Sequence, residues 1–199
     1  MLDLGCGSKP YQSLFNYSEY IGVDFENPGH AHDQEQIDVF YDGKKLPFSD
    51  ATFDSALSTE VFEHVFNLPD LIGELHRVLK NDAHVLITCP FVWKEHELPH
   101  DYARYTLYAL DDLMTAKGFS KVVAEKSGNF SDVICQLWIL FFYDKYYKRI
   151  QKIMPVRMLF KLFFILFPNL VHRLLRGVAS KDDQMYLNNI IVYRKTNAE

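Results

Sequence analysis

The sequence predicts an α/β fold: a doubly wound, mostly parallel seven-stranded sheet with a helical insertion before its last strand. Three observations predict it. Short apolar runs alternate with segments whose apolar residues recur at helical spacing. The first run, Leu2-Asp3-Leu4, passes directly into the turn Gly5-Cys6-Gly7. The second, Tyr20-Ile21-Gly22-Val23-Asp24, also ends in an acid.

Residues 1–4 and 20–24 read as strands one and two, with a helical link across Tyr11–Tyr17. A short third strand at Ile37–Tyr41 ends at the turn pair Asp42-Gly43. Asp54–Ser58 is strand four, followed by a helical turn through Val61–Phe66. From Pro69 to Lys80, Leu71, Ile72, Leu75, Val78 and Leu79 keep helical spacing, with Asp70 in the first turn and Lys80 in the last. Asn81-Asp82 turns the chain into strand five, His84–Cys89, which Pro90 stops. Thr106 caps a helix carrying Leu107, Leu110, Leu113 and Met114, and Gly118 ends it. Lys121–Glu125 is strand six and Leu187–Tyr193 strand seven.

A turn with almost no side chains lets backbone N–H groups approach a ligand closely. The nicotinamide fingerprint needs a third glycine where this chain has Pro10, and the Gly-Lys-Ser/Thr ending of a phosphate loop is absent. The loop therefore fits a ligand without a pyrophosphate.

Strand, acid and Gly-Cys-Gly together resemble the first motif of class I S-adenosylmethionine-dependent methyltransferases. Leu46-Pro47-Phe48 with Thr52-Phe53-Asp54 is similar to the third and fourth motifs. Thr59-Glu60-Val61-Phe62-Glu63-His64 resembles the segment after strand four, and Leu75-His76-Arg77-Val78-Leu79-Lys80 the helix before strand five. The likeness covers roughly residues 1–126 and implies a Rossmann-like sheet and S-adenosyl-L-methionine as cofactor. It implies that Asp3, Gly5, Cys6 and Gly7 line the methionine end, that Asp24 takes the ribose, and that Glu60 adds to the site. Asp42 stands where the family places the acid for the adenine amino group, with Asp38 as fallback; Asp42-Gly43 also reads as an ordinary turn. Three departures stand out. Lys9 replaces the third motif glycine, and Asn81-Asp82-Ala83 replaces Pro-Gly-Gly. The first strand begins at Met1, so either the start site is truncated or the cofactor site is more open than usual.

Pro90-Phe91-Val92-Trp93-Lys94-Glu95-His96-Glu97-Leu98-Pro99-His100-Asp101-Tyr102-Ala103-Arg104-Tyr105-Thr106 lies at the carboxyl edge of the sheet, where ligands bind in open α/β folds. Two histidines and three acids are too polar for a core. The stretch resembles a segment of a bacterial subset of these enzymes, often associated with surface-polysaccharide and glycolipid assembly. His96 suits a general base, with His64 a second candidate. Arg104 suits a clamp on a substrate carboxylate or phosphate. The alternative is that Asp101 and Arg104 form a structural ion pair holding the loop.

Residues 133–178 form the insertion within a single domain spanning 1–199. The longest unbroken apolar run there is six residues, short of the ~20 that span a bilayer. Pro155 and Pro168 are expected to divide it into short helices. From Lys145 to Arg176 there are eight Lys/Arg and no Asp/Glu, in a chain whose net charge is −5. Basic residues among aromatics fit a helix lying on an anionic membrane surface, with a helical cap or a dimer contact as the alternative. Its apolar content argues against nucleic acid.

Cys6, Cys89 and Cys135 are odd in number and widely spaced, which suggests a reducing cytoplasm; no zinc spacing appears and no metal is expected. No basic-then-apolar leader opens the sequence. The expected function is methyl transfer to a hydroxyl or carboxyl of a glycan, lipid-linked or small-molecule acceptor. The rivals are a catalytically inactive cofactor-binding or membrane-surface module, and a C-methyltransferase of a quinone or lipid ring.

Overall fold

The computed structural model of the 199-residue chain describes residues 1–25, 36–175 and 184–196. It divides into two compact units, Met1–Glu125 with Asn188–Glu199, and Lys126–Leu187.

The first unit is built on strands β1 (Leu2–Leu4), β2 (Ile21–Phe25), β3 (Val39–Tyr41), β4 (Phe53–Thr59), β5 (Leu79–Pro90), β6 (Phe119–Ser127) and β7 (Asn188–Lys195). They form one seven-stranded sheet in the order β3-β2-β1-β4-β5-β7-β6. Neighbours from β3 through β5 run parallel, and β7 lies antiparallel to β5. The fold is thus the Rossmann-like sheet expected, with its reversed last strand.

Central strands covered on both faces need continuous apolar runs. Leu2, Leu4, Val23, Val85, Ile87, Ile191 and Tyr193 are accordingly buried. Helix α1 (Leu68–Val78) adds Leu68, Leu71, Ile72, Leu75 and Val78 to the same core, each fully buried aliphatic contributing roughly 1.5–3 kcal/mol. Helix α2 (Leu107–Thr115) starts at Thr106, whose hydroxyl accepts the Ala109 N–H at 3.2 Å. The turn expected at Asn81-Asp82 is absorbed into β5 as a bulge: Asp82 takes φ 61°, and the register against β4 shifts between Phe53 and Ser55. The helical link after β1 shortens to one 3₁₀ turn, Gln12–Leu14.

The second unit opens with α3 (Phe130–Phe142), set by a capping box. The Asn129 side chain accepts from Ser131 N at 2.9 Å and Asp132 N at 3.2 Å, while Asp132 accepts from Asn129 N at 2.8 Å. Through a π-turn at Tyr143–Tyr147 it continues into α4 (Lys148–Ile150). A return arm comprises α5 (Met154–Lys161), a π-turn at Leu162–Leu166, and α6 (Phe167–Leu175). Pro155 sits in the first turn, where a missing N–H costs nothing. Pro168 does not break the arm as expected. The π-turn precedes it, and Asn169 Nδ2 donates to the Ile165 carbonyl at 2.7 Å.

The arms meet through aromatic rings, Phe142 on Phe164 at 4.3 Å and Tyr147 near Phe160 at 5.8 Å. Their other faces leave Trp138, Phe141, Phe163, Leu166 and Phe167 exposed. By length and composition Met154–Leu174, 21 residues at mean hydropathy 1.6, is long and apolar enough to cross a membrane. Residues 176–178, the end of the expected insertion, lie outside the described residues.

Candidate functional site

β1 lies between β2 and β4, so strand order reverses around it and the crevice at its carboxyl end is the place for a ligand. Gly5 leaves β1 with φ 71°, and a Cβ there would stand 2.2 Å from Val61 Cγ2, so only glycine fits. Gly5 N and Cys6 N donate to the Val23 carbonyl at 2.8 and 3.2 Å, and Lys9 N donates to Cys6 O at 2.8 Å. Gly7, at φ 46°, donates its N–H to Asp24 Oδ2 at 3.0 Å. With these donors used inside the loop, it does not present a pyrophosphate cradle.

Asp24 stands half-buried at the carboxyl end of β2. Its Oδ1 accepts Phe25 N at 2.7 Å, leaving two of a carboxylate's roughly four acceptor sites for a pair of ribose hydroxyls. Asp3 is buried beneath the loop and accepts the Tyr20 hydroxyl at 2.5 Å; burial raises its pKa. Cys6 is buried too, and burial with the Asp24 and Asp3 charges pushes its thiol up to about 12, so it is no nucleophile. A loop that offers no pyrophosphate cradle, with Asp24 keeping acceptor capacity beside it, fits a nucleoside cofactor without phosphates such as S-adenosyl-L-methionine.

Lys9 takes the place of the third glycine by adopting the left-handed φ of 54°. Its ammonium pairs with Asp38 at 2.5 Å, and its stem crosses Gly22, where a Cβ would meet Lys9 Cε at 2.4 Å. Asp38 also accepts Gly22 N at 2.7 Å and is committed to this packing. Asp42 accepts Lys44 N at 2.9 Å and Lys45 N at 3.1 Å through Oδ1, bonds that hold its pKa low. It is thereby part of an ordinary turn, with only Oδ2 left for an adenine amino group. Glu60, at φ 54°, accepts Thr88 Oγ1 at 2.7 Å and Asn188 Nδ2 at 2.8 Å, tying the ends of β4, β5 and β7 together.

The 3₁₀ turn Phe62–His64 after β4 and the loop after β5 bring His64 and His96 together, ring centroids 4.6 Å apart. His64 Nδ1 lies 2.6 Å from the His100 carbonyl oxygen. A carbonyl only accepts, so Nδ1 carries the proton and Nε2 carries the lone pair. His96 is held through its backbone N–H to Asp101 Oδ2 at 2.9 Å, with Nδ1 3.3 Å from the same oxygen and 3.4 Å from Arg104 Nη2. Glu63, which sequence reasoning missed, is fully buried beside them, and burial raises its pKa to about 8. Its Oε1 lies 3.7 Å from His64 Nε2 and has no hydrogen-bond partner among the described residues. A one-turn 3₁₀ segment has no period to betray which face is buried.

Arg104 does not clamp a substrate in this arrangement. Nη1 donates to Asp101 Oδ1 (2.5 Å) and Ala103 O (2.7 Å), and Nη2 to Asp101 Oδ2 (2.7 Å) and Lys94 O (2.9 Å). Nε reaches Trp93 O at 3.3 Å. All five donors of the guanidinium are used to hold the loop. Arg104 in turn keeps the Asp101 carboxyl well below the usual carboxylate range. The structural alternative for this pair is the one the geometry supports.

Residues 2–87 match the family model for a methyltransferase domain. No curated protein matches the chain. Among solved structures, the complex between the Haloferax volcanii Trm112 methyltransferase activator and its candidate methyltransferase aligns at TM-score 0.62 and 15% identity, over 100% of this chain and 82% of that one. An S-adenosylmethionine-dependent methyltransferase from Mesorhizobium loti aligns at 0.57 and 14%, over 98% and 89%. Haemonchus contortus phosphoethanolamine N-methyltransferase 2, solved with phosphomonomethylethanolamine and S-adenosylhomocysteine, aligns at 0.54 and 17%, over 98% and 49%. At such identities the likeness is one of fold.

Proposed function

We propose that this chain, which carries a class I S-adenosylmethionine-dependent methyltransferase domain, moves the methyl group to an oxygen of a glycan, lipid-linked or small-molecule acceptor, and that this oxygen is a hydroxyl. The observation that carries the reading is the His64–His96 pair: His64 Nδ1 faces the His100 carbonyl, which leaves the Nε2 lone pair of His64 free, and the His96 ring lies 4.6 Å from it. A hydroxyl must lose its proton to become a good nucleophile, whereas a carboxylate has already done so, and basic nitrogens therefore favour the hydroxyl.

The bound cofactor supplies the activated methyl; the chain's residues bind and orient. Asp24 holds the ribose, the Gly5–Gly7 turn accommodates the amino-acid end, and His64 and His96 mark where the acceptor oxygen gives up its proton. Asp101 positions His96, and Arg104 positions Asp101.

The test is transfer of radiolabelled methyl to lipid-linked glycan extracts and to hydroxylated small molecules. Label stable to mild base and located on oxygen identifies an ether and supports a hydroxyl acceptor; base-labile label identifies an ester. Cofactor binding without transfer supports the inactive module, and label on ring carbon the C-methyltransferase. His64→Ala and His96→Ala should each lower turnover by about 10²–10⁴-fold while leaving cofactor affinity in place.

The second unit supports an anionic membrane surface as partner. Phe163, Leu166 and Phe167 are exposed on an arm that shares its segment with a run of basic residues and no acids. A protein at the cytoplasmic face of a membrane would meet lipid-linked acceptors there.

A further inference from the structure

We infer that Glu63, His64 and His96 form a binding site for one divalent first-row transition cation, with Zn²⁺ the ion whose preferences they match. One donor atom from each residue lies within 4.8 Å of the others. A first-row cation with ligands at about 2.0–2.2 Å holds its donors roughly 3–4 Å apart, so closure asks for side-chain shifts of under about 1 Å each.

The surroundings of each donor suit ligation. The His100 carbonyl takes the His64 Nδ1 proton, the outer contact that fixes the tautomer of a metal-ligating imidazole, and the His96 ring is held between Asp101 Oδ2 and Arg104 Nη2, 3.3 and 3.4 Å from its Nδ1. Glu63 Oε1 is buried with no hydrogen-bond partner among the described residues, a costly state for a polar atom that a cation 2 Å away would relieve. Its other oxygen faces the Cys89 thiol at 3.8 Å. Glu97 Oε2 stands 3.8 Å from His64 Nε2 on a mostly exposed side chain and is free to swing in as a fourth ligand.

Two imidazoles and a carboxylate select a transition cation over Mg²⁺ or Ca²⁺, which prefer oxygen. Three protein ligands leave a coordination position open, as in catalytic sites. Use of that position in catalysis rests on the hydroxyl-acceptor reading above, with the two imidazoles acting there as ligands and the cation, in place of a free imidazole nitrogen, promoting loss of the proton. A cation there favours loss of the acceptor O–H proton to water; an oxygen lone pair then forms the O–CH₃ bond as the S–CH₃ bond breaks, and that electron pair stays on sulfur, leaving a neutral thioether.

Binding is tested by titrating the chelator-stripped full chain with Zn²⁺ by calorimetry and with Co²⁺ by visible absorption. One equivalent should bind, with d–d bands of a four- or five-coordinate ion. His64→Ala, His96→Ala and Glu63→Gln should each weaken binding at least tenfold, and His84→Ala, an exposed histidine on β5, should not. His96 is on a surface loop, so its variant remains informative if Glu63→Gln fails to fold. A folded wild-type chain that binds neither ion, or variants that bind as wild type does, overturns the site. Loss of methyl transfer in the histidine variants without any metal binding would overturn this inference and leave the hydroxyl-acceptor reading standing. Stoichiometric Zn²⁺ with transfer unaffected by chelation would support the site and overturn its catalytic use.

Discussion

Asp101, with no exposed side-chain surface, accepts both prongs of the Arg104 guanidinium at 2.5 and 2.7 Å. Removing one member of a buried pair strands the other charge, at a cost of about 3–5 kcal/mol. Arg104→Ala should therefore lower the melting midpoint by roughly ten degrees, since 1 kcal/mol corresponds to about 2–4 °C at this chain length. Arg104→Lys keeps the charge but loses the fork, and should fall between. A variant that melts normally and instead raises the acceptor KM would restore the clamp.

Asp24 receives Gly7 N–H at 3.0 Å and has acceptor capacity left over. If that capacity serves the ribose, Asp24→Ala should weaken S-adenosylhomocysteine binding by roughly 1.5–3 kcal/mol, the range for hydrogen bonds to a charged group. Asp24→Asn keeps one acceptor oxygen for Gly7 and separates loop geometry from ribose recognition. Unchanged affinity in both folded variants would sink the assignment.

Glu74 and Arg77 contribute to the acid sensitivity of the first unit. Arg77 Nε and Nη2 donate to Glu74 at 2.9 and 2.7 Å, and Leu46 N donates to Glu74 at 2.9 Å, joining α1 to the loop before β4. The Arg77 hydrogen bonds hold the Glu74 pKa below its ordinary value. A depressed folded-state pKa gives stability that is present above the unfolded value of about 4.3 and is lost as pH falls through the folded one. Denaturant midpoints should thus drop as the pH falls below about 5 in the wild type. Glu74→Gln should be less stable at pH 7 and show a shallower drop in that window.

The sheet was legible because its buried strands leave short, mostly apolar runs, as at Leu2–Leu4 and Val85-Leu86-Ile87, and because the Gly5 turn tolerates no Cβ. What stayed hidden depended on contacts far apart in sequence. Whether Arg104 clamps a substrate or holds its own loop is decided by the carbonyls of Trp93, Lys94 and Ala103, which no motif encodes. Glu63 looked like any acid in a short turn until packing left one oxygen without a partner among the described residues. Pro168 looked like a stop because a π-turn at Leu162–Leu166 carries no sequence signal strong enough to predict it.

The return arm of the second unit gives the membrane proposal its sharpest test. Phe164 faces inward, stacked on Phe142 at 4.3 Å, whereas Phe163, Leu166 and Phe167 are more than half exposed at 58%, 60% and 58%. Apolar insertion is insensitive to salt, while attraction of Lys148, Arg149 and Lys152 to anionic lipid is screened over about 8 Å at physiological ionic strength. Vesicle binding should rise with anionic lipid, fall partly with salt, and persist in part at high salt. Replacing Phe163, Leu166 and Phe167 with Ser should remove the salt-resistant part without loosening the arms, and Phe164→Ser should instead destabilise them. Replacing the three basic residues with Glu should remove the salt-sensitive part. Co-sedimentation with vesicles of stated lipid composition reads both. Resistance to carbonate extraction would show that Met154–Leu174 spans the bilayer. A monomer that ignores anionic vesicles would make the apolar face a cap, and a dimer that buries Phe163 and Phe167 would make it an interface between copies.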